Sequence, residues 1–354
     1  MMNKSKKVLT LTHEAIETLE KKDFAGYAAI DVTEYCFGEL EVDPWDTLRF
    51  LRALFGNTKL RLTFGGQALL GFRHYPDEIV DAFVAAAVDN GINSFRVYDA
   101  LNDARNLATA AASIKKYGAE LEIAIVYSES PYNIAQYFAG LASQATSLEA
   151  DRVSVIGMTN EMFCRELTET LTRSSALPVS ISASTEKIAL IALDAGASLV
   201  EIVPTRLAPE EVSGEIGQIR EDLGFPPLAY PVSEIVTAQA YRNTFSEKRY
   251  ETFSDDFKDL VLGKFGKLPA SPSPEFVKEI CGDEPMVLVR PADLLEPEYD
   301  RIREYTAPWL EQEEDLLTYA LYHGVAIVFF EKRKAKKYAI DMPRAVKEKG
   351  IHVI

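Results

Sequence analysis

The chain has 354 residues, which is too many for one ordinary core and favours two domains or a barrel of about 250 residues with an appendage. Its 54 acidic and 38 basic side chains give a formal net charge of -16, which argues against nucleic acid or an anionic membrane surface as the main partner. A composition of 47% hydrophobic and 26% charged residues is typical of a soluble globular protein.

Short apolar runs rich in β-branched residues recur in the first part of the chain and predict strands. The segment KKVLTL (6–11) is one of them, and it can form a first strand or remain a fraying arm. Seven further candidate strands follow, at 27–32, 60–64, 92–100, 121–128, 152–158, 177–182 and 197–203.

Amphipathic segments such as 77–91 and 185–198 separate these runs. Their apolar residues lie three and four positions apart and a glycine stands near each exit, which predicts helices. Strands that alternate with helices indicate a parallel sheet with helices outside it, either closed as a (β/α) barrel or open and doubly wound.

The alternation stops near Pro204, and the rest of the chain is mostly helical in pattern. Proline-rich stretches at 268–276 and 290–300 interrupt the helices. The sequence therefore predicts a second domain. We divide the chain into a barrel at 1–205, a helical domain at 206–310 and a helical tail at 311–354.

Cysteine usage and hydropathy exclude several classes of protein. Cys36, Cys164 and Cys281 are odd in number, far apart and without a CxxC pair, so we expect neither a disulfide framework nor a thiolate zinc site. Reduced thiols fit a cytoplasmic protein. The polar and acidic N-terminal segment does not resemble a signal peptide, and no window of about 18 apolar residues predicts a membrane span.

Active sites of parallel α/β folds gather at the C-terminal ends of the strands. Among the residues predicted there, only Glu34 and Asp99 are acidic, and the others are mostly glycine, serine and threonine. The four histidines are dispersed and form no HxH or HExxH pair, so the usual zinc motifs are not present; they are His13, His74, His323 and His352.

Two polar stretches at strand ends also have ordinary explanations. Gly65 and Gly66 lack the spacing of a phosphate-binding loop and suit a turn that tolerates positive φ. The serines of "SISAS" (180–184) alternate along a strand, but no nearby histidine can activate one of them as a nucleophile.

Residues 41–107, which include "FGGQALLGFRHYPDE" and "FRVYDALNDARNL", closely resemble the carboxyltransferase barrel of biotin-dependent enzymes. These enzymes are pyruvate carboxylase, the oxaloacetate decarboxylase α subunit and the carboxyltransferase subunit of transcarboxylase. The helical funnel domain and tail of the same enzymes resemble 220–240, 262–270, 290–302 and 311–333. The resemblance covers nearly the whole chain and looks nearest to the decarboxylase α subunit. It implies a (β/α) TIM-type barrel with a degenerate first strand and a shortened funnel domain.

That family binds a divalent metal and a 2-oxo acid at the top of the barrel, and most of the matching positions differ here. The arginine of its Arg-Gly-Gln-Asn motif, which clamps the keto acid, falls at Gly65, and the asparagine falls at Ala68. The carbamylated lysine of Ile-Lys-Asp-Met falls at Ile156, and the metal-binding His-x-His pair falls at Ser182 and Ser184. The resemblance thus implies a catalytically degenerate homologue without a bound metal.

Two further parts of the family's site have no counterpart in this chain. The Thr-Leu-Arg-Asp-Gly motif with its metal-binding aspartate aligns ahead of the first residue, and the threonine that shuttles a proton beside biotin is missing after the eighth strand. Roughly the last barrel helix and several funnel helices are also omitted. Without a metal, a buried lysine or arginine at the mouth would be an unpaired charge that costs several kcal/mol, so Ile156 and Gly65 remove a penalty.

The leading hypothesis is a non-catalytic subunit with a structural or regulatory role in a biotin-dependent carboxylase or decarboxylase complex. The resemblance implies a homodimer, or a heterodimer with an active carboxyltransferase chain, and a biotin carrier or biotin carboxylase subunit as a further partner. No lysine has a methionine beside it, so we expect no biotin attached to this chain and no other cofactor.

Two alternatives remain open. One is an active carboxyltransferase or decarboxylase of a 2-oxo acid such as pyruvate or oxaloacetate, with its chemistry relocated to Glu34, Gln67, Tyr98 and Asp99. The other is a sensor that binds a keto acid, biotin or an acyl-CoA without turning it over, in a pocket lined by Gln67, Arg73, Asp99 and Ser182.

Overall fold

A computed structural model of the chain describes residues 7–11, 27–204 and 210–338. It contains one sheet of eight parallel strands in sequential order. The strands are β1 (Lys7–Thr10), β2 (Tyr27–Asp31), β3 (Leu60–Phe64), β4 (Ser94–Tyr98), β5 (Glu120–Val126), β6 (Arg152–Met158), β7 (Val179–Ala183) and β8 (Leu199–Ile202).

The sheet curls into a nearly closed TIM-type barrel. Strand pairing runs without interruption from β1 to β8, and β8 lies beside β1 without a ladder of paired residues between them in the described part of the chain. The N-terminal segment, for which the sequence leaves a first strand and a fraying arm both open, forms β1, which pairs in parallel with β2. The prediction of a (β/α) barrel is confirmed.

Seven described helices belong to the barrel region: α1 (Thr33–Phe37), α2 (Pro44–Phe55), α3 (Asp77–Asp89), α4 (Ala108–Lys116), α5 (Ala135–Ser147), α6 (Glu161–Ser174) and α7 (Glu186–Asp194). Seven more follow β8: α8 (Glu210–Asp222), α9 (Val232–Phe245), α10 (Asp255–Leu262), α11 (Pro274–Cys281), α12 (Tyr299–Thr306), α13 (Asp315–Leu321) and α14 (Ala326–Lys337). None of the described helices is long and apolar enough to cross a membrane.

Local sequence signals fix several helix starts. Pro44 occupies the first turn of α2, and the carboxylate of Asp43 accepts a hydrogen bond from the backbone N–H of Trp45 at 3.0 Å. Pro274 stands in the same place in α11, where the hydroxyl of Ser273 accepts from Phe276 N at 3.1 Å. Each cap satisfies a backbone N–H that has no partner inside the helix. Proline in the first turn loses no hydrogen bond, because the N–H that it lacks would be unpaired there.

Alternate residues of each strand face the helices and the barrel interior. On the outer side of β3 and β4, Phe64 lies 5.7 Å from Phe83 of α3 and 6.0 Å from Phe95, ring centroid to centroid. These edge-to-face contacts form part of one apolar layer between the strands and the helices. The residues between them, Arg61, Thr63 and Arg96, therefore face the interior.

The chain after β8 uses two different cores. Helices α8–α11 enclose a separate apolar cluster that includes Val236, Phe257 and Leu260. Helices α13 and α14 instead return to the barrel core through Leu316, Leu317 and Phe330, among others. The predicted tail thus packs on the barrel over its described residues, and 339–354 lie outside the described residues.

Polar contacts hold the tail to the barrel. The indole Nε1 of Trp45 donates to Thr318 Oγ1 at 2.9 Å. The guanidinium of Arg333 contacts three carboxylates, at 2.9 Å from Asp43 Oδ2, 2.5 Å from Asp315 Oδ2 and 3.3 Å from Glu311 Oε2. Residues almost 300 positions apart are thereby joined at the start of α2.

Candidate functional site

The mouth of the barrel, meaning the C-terminal ends of the strands and the loops that follow, contains all five positions predicted to be degenerate. Three of them are buried: Gly65, Ala68 and Ser182. Two are half-buried: Ile156 and Ser184. They lie on β3, β6 and β7 or directly after these strands.

Gly65 has an ordinary backbone conformation, with φ of -89°, and its N–H donates to Leu69 O at 2.7 Å. A Cβ atom at this position would meet Leu69 O at 3.4 Å and the ring of Tyr98 at 3.5 Å, which are ordinary van der Waals contacts. Nothing in the backbone therefore requires glycine here, and the Tyr98 ring borders the space that a side chain would enter.

Gly157, next to Ile156, is constrained in a way that Gly65 is not. The pairing of β6 with β7 shifts register between Val155 and Met158, and Gly157 adopts a φ of +81° within this irregularity. A Cβ atom there would lie 2.9 Å from the backbone oxygen of Tyr127. The segment that aligns with Ile-Lys-Asp-Met is thus built around a glycine.

The residues at the mouth do not fit the divalent metal that the resemblance implies. Ile156 offers hydrocarbon where a carbamylated lysine would bind, and Ser182 and Ser184 offer neutral hydroxyls in place of imidazoles. Among the described residues, no three or more His, Cys, Asp or Glu side chains are grouped to hold a metal ion. Zinc and similar ions are bound in proteins by imidazole, thiolate and carboxylate groups.

Below the mouth, the barrel interior contains a set of paired charges, here called the interior network: Asp31, Arg61, Arg96, Glu122 and Glu201. All five residues are at least nine-tenths buried. They come from five strands, β2, β3, β4, β5 and β8. TIM-barrel interiors are usually filled by bulky branched side chains, so this filling is unusual.

Glu201 is the centre of the interior network. Its carboxylate accepts from Arg61 at 2.5 and 3.2 Å and from Arg96 at 2.6 and 2.8 Å, so both oxygens are bound by both guanidinium groups. The hydroxyl of Ser182 donates to it at 3.4 Å. Bidentate arginine–carboxylate pairs are among the strongest hydrogen-bonded pairs in proteins.

The Nε donors of the two arginines are also used. Arg61 Nε donates to Asp31 Oδ2 at 2.9 Å, and Arg96 Nε donates to Glu122 Oε1 at 2.5 Å. Thr63 Oγ1 donates to Asp31 Oδ2 at 2.6 Å. Three carboxylates thus surround two guanidinium groups, and the interior network carries an excess of one negative charge.

The electrostatics favour the ionised forms of Glu201 and Asp31. Burial alone would raise the pKa of Glu201, but the guanidinium groups of Arg96 and Arg61 outweigh it and hold that pKa far below its usual range. Burial would also raise the pKa of Asp31. The charge of Arg61 and the hydrogen bond from Thr63 outweigh burial, so the pKa of Asp31 is lowered. An arginine that is paired in this way has little charge left to offer to a substrate carboxylate.

Two of the predicted pocket-lining residues lie on the outer side of the loop after β3. Gln67 is fully buried, and its amide donates to Tyr75 O at 2.6 Å and to Asp77 Oδ1 at 2.8 Å. Arg73 donates to Glu298 Oε1 at 2.7 Å and borders a cleft of about 680 Å³ against the tail. Gln67 therefore braces a loop, while Arg73 is accessible at a different surface.

Two further candidate residues, Asp99 and Glu34, lie in other surroundings. Asp99 is buried at the end of β4, where it accepts from the backbone N–H groups of Leu101 at 2.9 Å and Asp103 at 2.8 Å. Asn106 Nδ2 donates to its other oxygen at 2.9 Å. Glu34 is exposed on α1. The structure does not bring Gln67, Arg73, Asp99 and Glu34 together in one pocket.

The sequence contains a signal for the interior network that motif searching missed. In "LRLTF", "SFRVY" and "ELEIAIV", charged or polar residues alternate with apolar ones inside strands of a parallel sheet. Such strands normally read as continuous apolar runs because both faces are buried. The alternation therefore indicates polar side chains that point into the barrel.

The chain is similar to known carboxylase and carboxyltransferase proteins. The family described as "Conserved carboxylase domain" matches residues 208–352. A pyruvate carboxylase subunit of Methanocaldococcus jannaschii is 30% identical over an alignment that covers 90% of this chain and 74% of that protein. The methylmalonyl-CoA carboxyltransferase 5S subunit of Propionibacterium freudenreichii is 28% identical, covering 91% of this chain and 84% of that protein.

Among solved structures, the carboxyl transferase domain of Rhizobium etli pyruvate carboxylase with pyruvate has a TM-score of 0.81. The match covers 92% of this chain and 76% of that domain, at 17% sequence identity. At this identity the likeness concerns the fold, which is the same barrel followed by helices.

Proposed function

This chain belongs to the carboxyltransferase family of biotin-dependent enzymes, and from this premise we propose that it is a non-catalytic subunit with a structural or regulatory role in a biotin-dependent carboxylase or decarboxylase complex. Two of its relatives are named as subunits, one of a pyruvate carboxylase and one of a methylmalonyl-CoA carboxyltransferase, which supports a role inside an assembly. The partner in this proposal is a second copy of the chain or an active carboxyltransferase chain, with a biotin-carrying or biotin carboxylase subunit in the same complex.

The observation that carries the proposal is the self-contained pairing of Glu201 with Arg61 and Arg96. A 2-oxo acid needs a cation that is free to bind its carboxylate, and both interior arginines already have carboxylate partners from the chain itself. A substrate anion that entered the barrel would add negative charge to a buried set that already has an excess of it. The cost of burying an unpaired charge opposes that entry.

The mouth supports the same proposal through its neutral groups. Decarboxylation and carboxyl transfer both require that negative charge developing on the keto oxygen be stabilised, commonly by a metal ion or a fixed cation. At the aligned positions this chain presents Gly65, Ile156 and Ser184, which supply neither. Cys36, Cys164 and Cys281 are buried free thiols, consistent with a cytoplasmic location as part of the proposal.

Two experiments test the proposal. The first is affinity purification of the chain from its native cells followed by native mass spectrometry of the intact assembly. We expect stoichiometric recovery with a second copy or an active carboxyltransferase chain, and with a biotin-carrying subunit. A strictly monomeric protein without such partners would contradict the subunit role.

The second experiment measures activity directly. The purified chain is assayed for decarboxylation of oxaloacetate in the presence of Mn²⁺ or Zn²⁺, beside an active carboxyltransferase of the family as a positive control. We expect the rate to equal that of the free metal ion at the same concentration. A metal-dependent rate above that background would overturn the non-catalytic assignment.

A further inference from the structure

A second cavity lies outside the barrel interior, where the loop after β4 meets helices α10 and α11 and the segment that follows them. It has a volume of about 1070 Å³ and is walled by the barrel on one side and the helical domain on the other. Ligand pockets of proteins usually measure about 300–1,000 Å³, so this cleft has room for a molecule of cofactor size. We propose that the cleft binds an elongated organic anion with an apolar body.

The floor and one wall of the cleft are apolar. Four of its lining residues are aliphatic or thioether side chains. Leu268 is buried, Val277 and Val287 are half-buried, and Met286 is 37% exposed. Beside them Leu288 is 80% exposed, which extends the apolar surface out of the cleft. Contiguous apolar surface of this kind on a folded chain marks a binding site more often than isolated exposed residues do.

The charged groups of the cleft leave a positive excess. Asp103 and Arg105 line it, but they neutralise one another, with Arg105 Nη2 2.6 Å from Asp103 Oδ2. Two further lining residues, Lys267 and Lys278, have ammonium groups without a salt-bridge partner in the described chain. Most other described lysines are ion-paired, for example Lys115 with Asp151. In a chain of net charge -16, this local excess is a specific attraction for an anion.

The walls are held in place by the protein itself. Asp103 Oδ2 accepts from the backbone N–H of Lys267 at 2.9 Å, which ties the barrel loop to the helical domain. Arg105 Nη1 donates to Leu288 O at 2.9 Å and fixes the other rim. Gly266 permits this close approach, because a Cβ atom there would lie 2.7 Å from Asn106 Nδ2. A preformed cleft loses less ordering entropy when a ligand binds.

These features together define the ligand class. The apolar wall favours an alkyl or aryl body, the two ammonium groups favour a carboxylate or phosphate head, and the exposed amide of Gln144 offers an additional hydrogen bond. The inference does not depend on the proposed function, because the residues lining the cleft include none of the five aligned positions at the mouth and none of the interior network.

Isothermal titration calorimetry of the full chain tests the inference with defined probes. Dodecanoate and dodecyl phosphate, each below its critical micelle concentration, distinguish a carboxylate from a phosphate head. Dodecyltrimethylammonium has the same tail and the opposite charge. We expect saturable binding of one anion per chain, weaker binding of octanoate by about fourfold for each methylene removed, and no matching site for the cation.

Charge reversal locates the site. The double variant Lys267→Glu/Lys278→Glu should weaken binding of the anionic probes about tenfold or more, since two attractions become repulsions. The matched control Lys332→Glu/Lys336→Glu makes the same change of net charge on tail helix α14 and should leave the affinity unchanged. Met286→Gln, which keeps the charge, should weaken dodecanoate more than octanoate.

Three results would overturn the inference. They are the absence of saturable binding by either anion, equal binding of dodecyltrimethylammonium, and equal losses in the cleft and tail double variants. Thermal unfolding of every variant, measured without a probe, separates a loss of folding from a loss of binding.

Discussion

The interior of the barrel and its mouth are neighbouring parts of the same strands with opposite chemistry. The interior holds five charged side chains that are buried and paired with one another, centred on Glu201. At the mouth, the five positions that align with the family's site are all neutral: Gly65, Ala68, Ile156, Ser182 and Ser184. An enzyme that binds an anionic substrate has the reverse arrangement, with cations at the mouth that are satisfied only when the substrate is present.

The difference indicates what each region does for the chain. Buried charges are tolerated only with partners, so Arg61, Arg96 and Glu201 fix the positions of β3, β4 and β8 relative to one another. The five aligned positions at the mouth carry no charge that a ligand would have to satisfy. The described barrel therefore pairs its interior charges without a substrate, which agrees with the proposed structural role.

The largest expected effect comes from breaking the interior. Arg96→Met leaves Glu122 without its partner and Glu201 with only Arg61, and we expect a loss of about 3–5 kcal/mol in the free energy of unfolding. Arg96→Lys keeps the charge but not the forked geometry and should give an intermediate loss. Urea unfolding followed by tryptophan fluorescence measures both.

Arg152 provides the matched control at the edge of the same barrel. It is half-buried on β6 and donates to Ser198 Oγ at 2.7 Å rather than to a carboxylate. Arg152→Met should cost less than about 1 kcal/mol, because no buried charge loses its partner. Equal losses for Arg96→Met and Arg152→Met would contradict the distinction between interior and edge.

The strands and the mouth were predictable, and the interior network was not, for a physical reason. Periodicity finds each strand from local residues, and the resemblance locates Gly65 and Ser182 from the motifs around them. Arg61 and Glu201, however, are 140 positions apart, and only the closure of the sheet brings them to 2.5 Å. A sequence pattern can indicate that a charge faces inward, but not which charge it meets.

The pH dependence of stability also separates the two regions. At the mouth, burial raises the pKa of Asp99 to about 7, while burial beside Arg290 lowers the pKa of His74 to about 4. The contribution of Asp99 to the free energy of unfolding is fully present below its unfolded pKa of about 3.9 and is lost as the pH rises through 7. The contribution of His74 to the free energy of unfolding is fully present above its unfolded pKa of about 6.5 and is lost as the pH falls through 4.

The two groups therefore oppose each other between about pH 4 and pH 7, and single variants reveal each one. Relative to the unmodified chain, Asp99→Asn should make stability rise with pH in this window and His74→Asn should make it fall. Each change in slope should not exceed about 1.4 kcal/mol per pH unit, the limit for one proton. The pKa values of the interior carboxylates Asp31 and Glu201 are lowered. The stability that these two groups contribute to the fold should therefore be lost only below this window. If the slope of the unfolding free energy against pH changed with the same sign in both variants, the opposite pKa shifts given for Asp99 and His74 would be contradicted.

The smallest effect distinguishes two glycines within the mouth. Gly157→Ala should cost about 1 kcal/mol, because alanine resists a φ of +81° and its Cβ would press on Tyr127 O. Gly65→Ala should change stability by less than about 0.5 kcal/mol, because φ is -89° and the added methyl meets only ordinary contacts. Chemical denaturation of both variants under one condition measures the difference. If the costs were equal, backbone constraint would not explain the glycine of β6. If only Gly157→Ala is costly, a side chain fits at Gly65 without strain, and folding does not require glycine at the position where the resemblance places the clamping arginine.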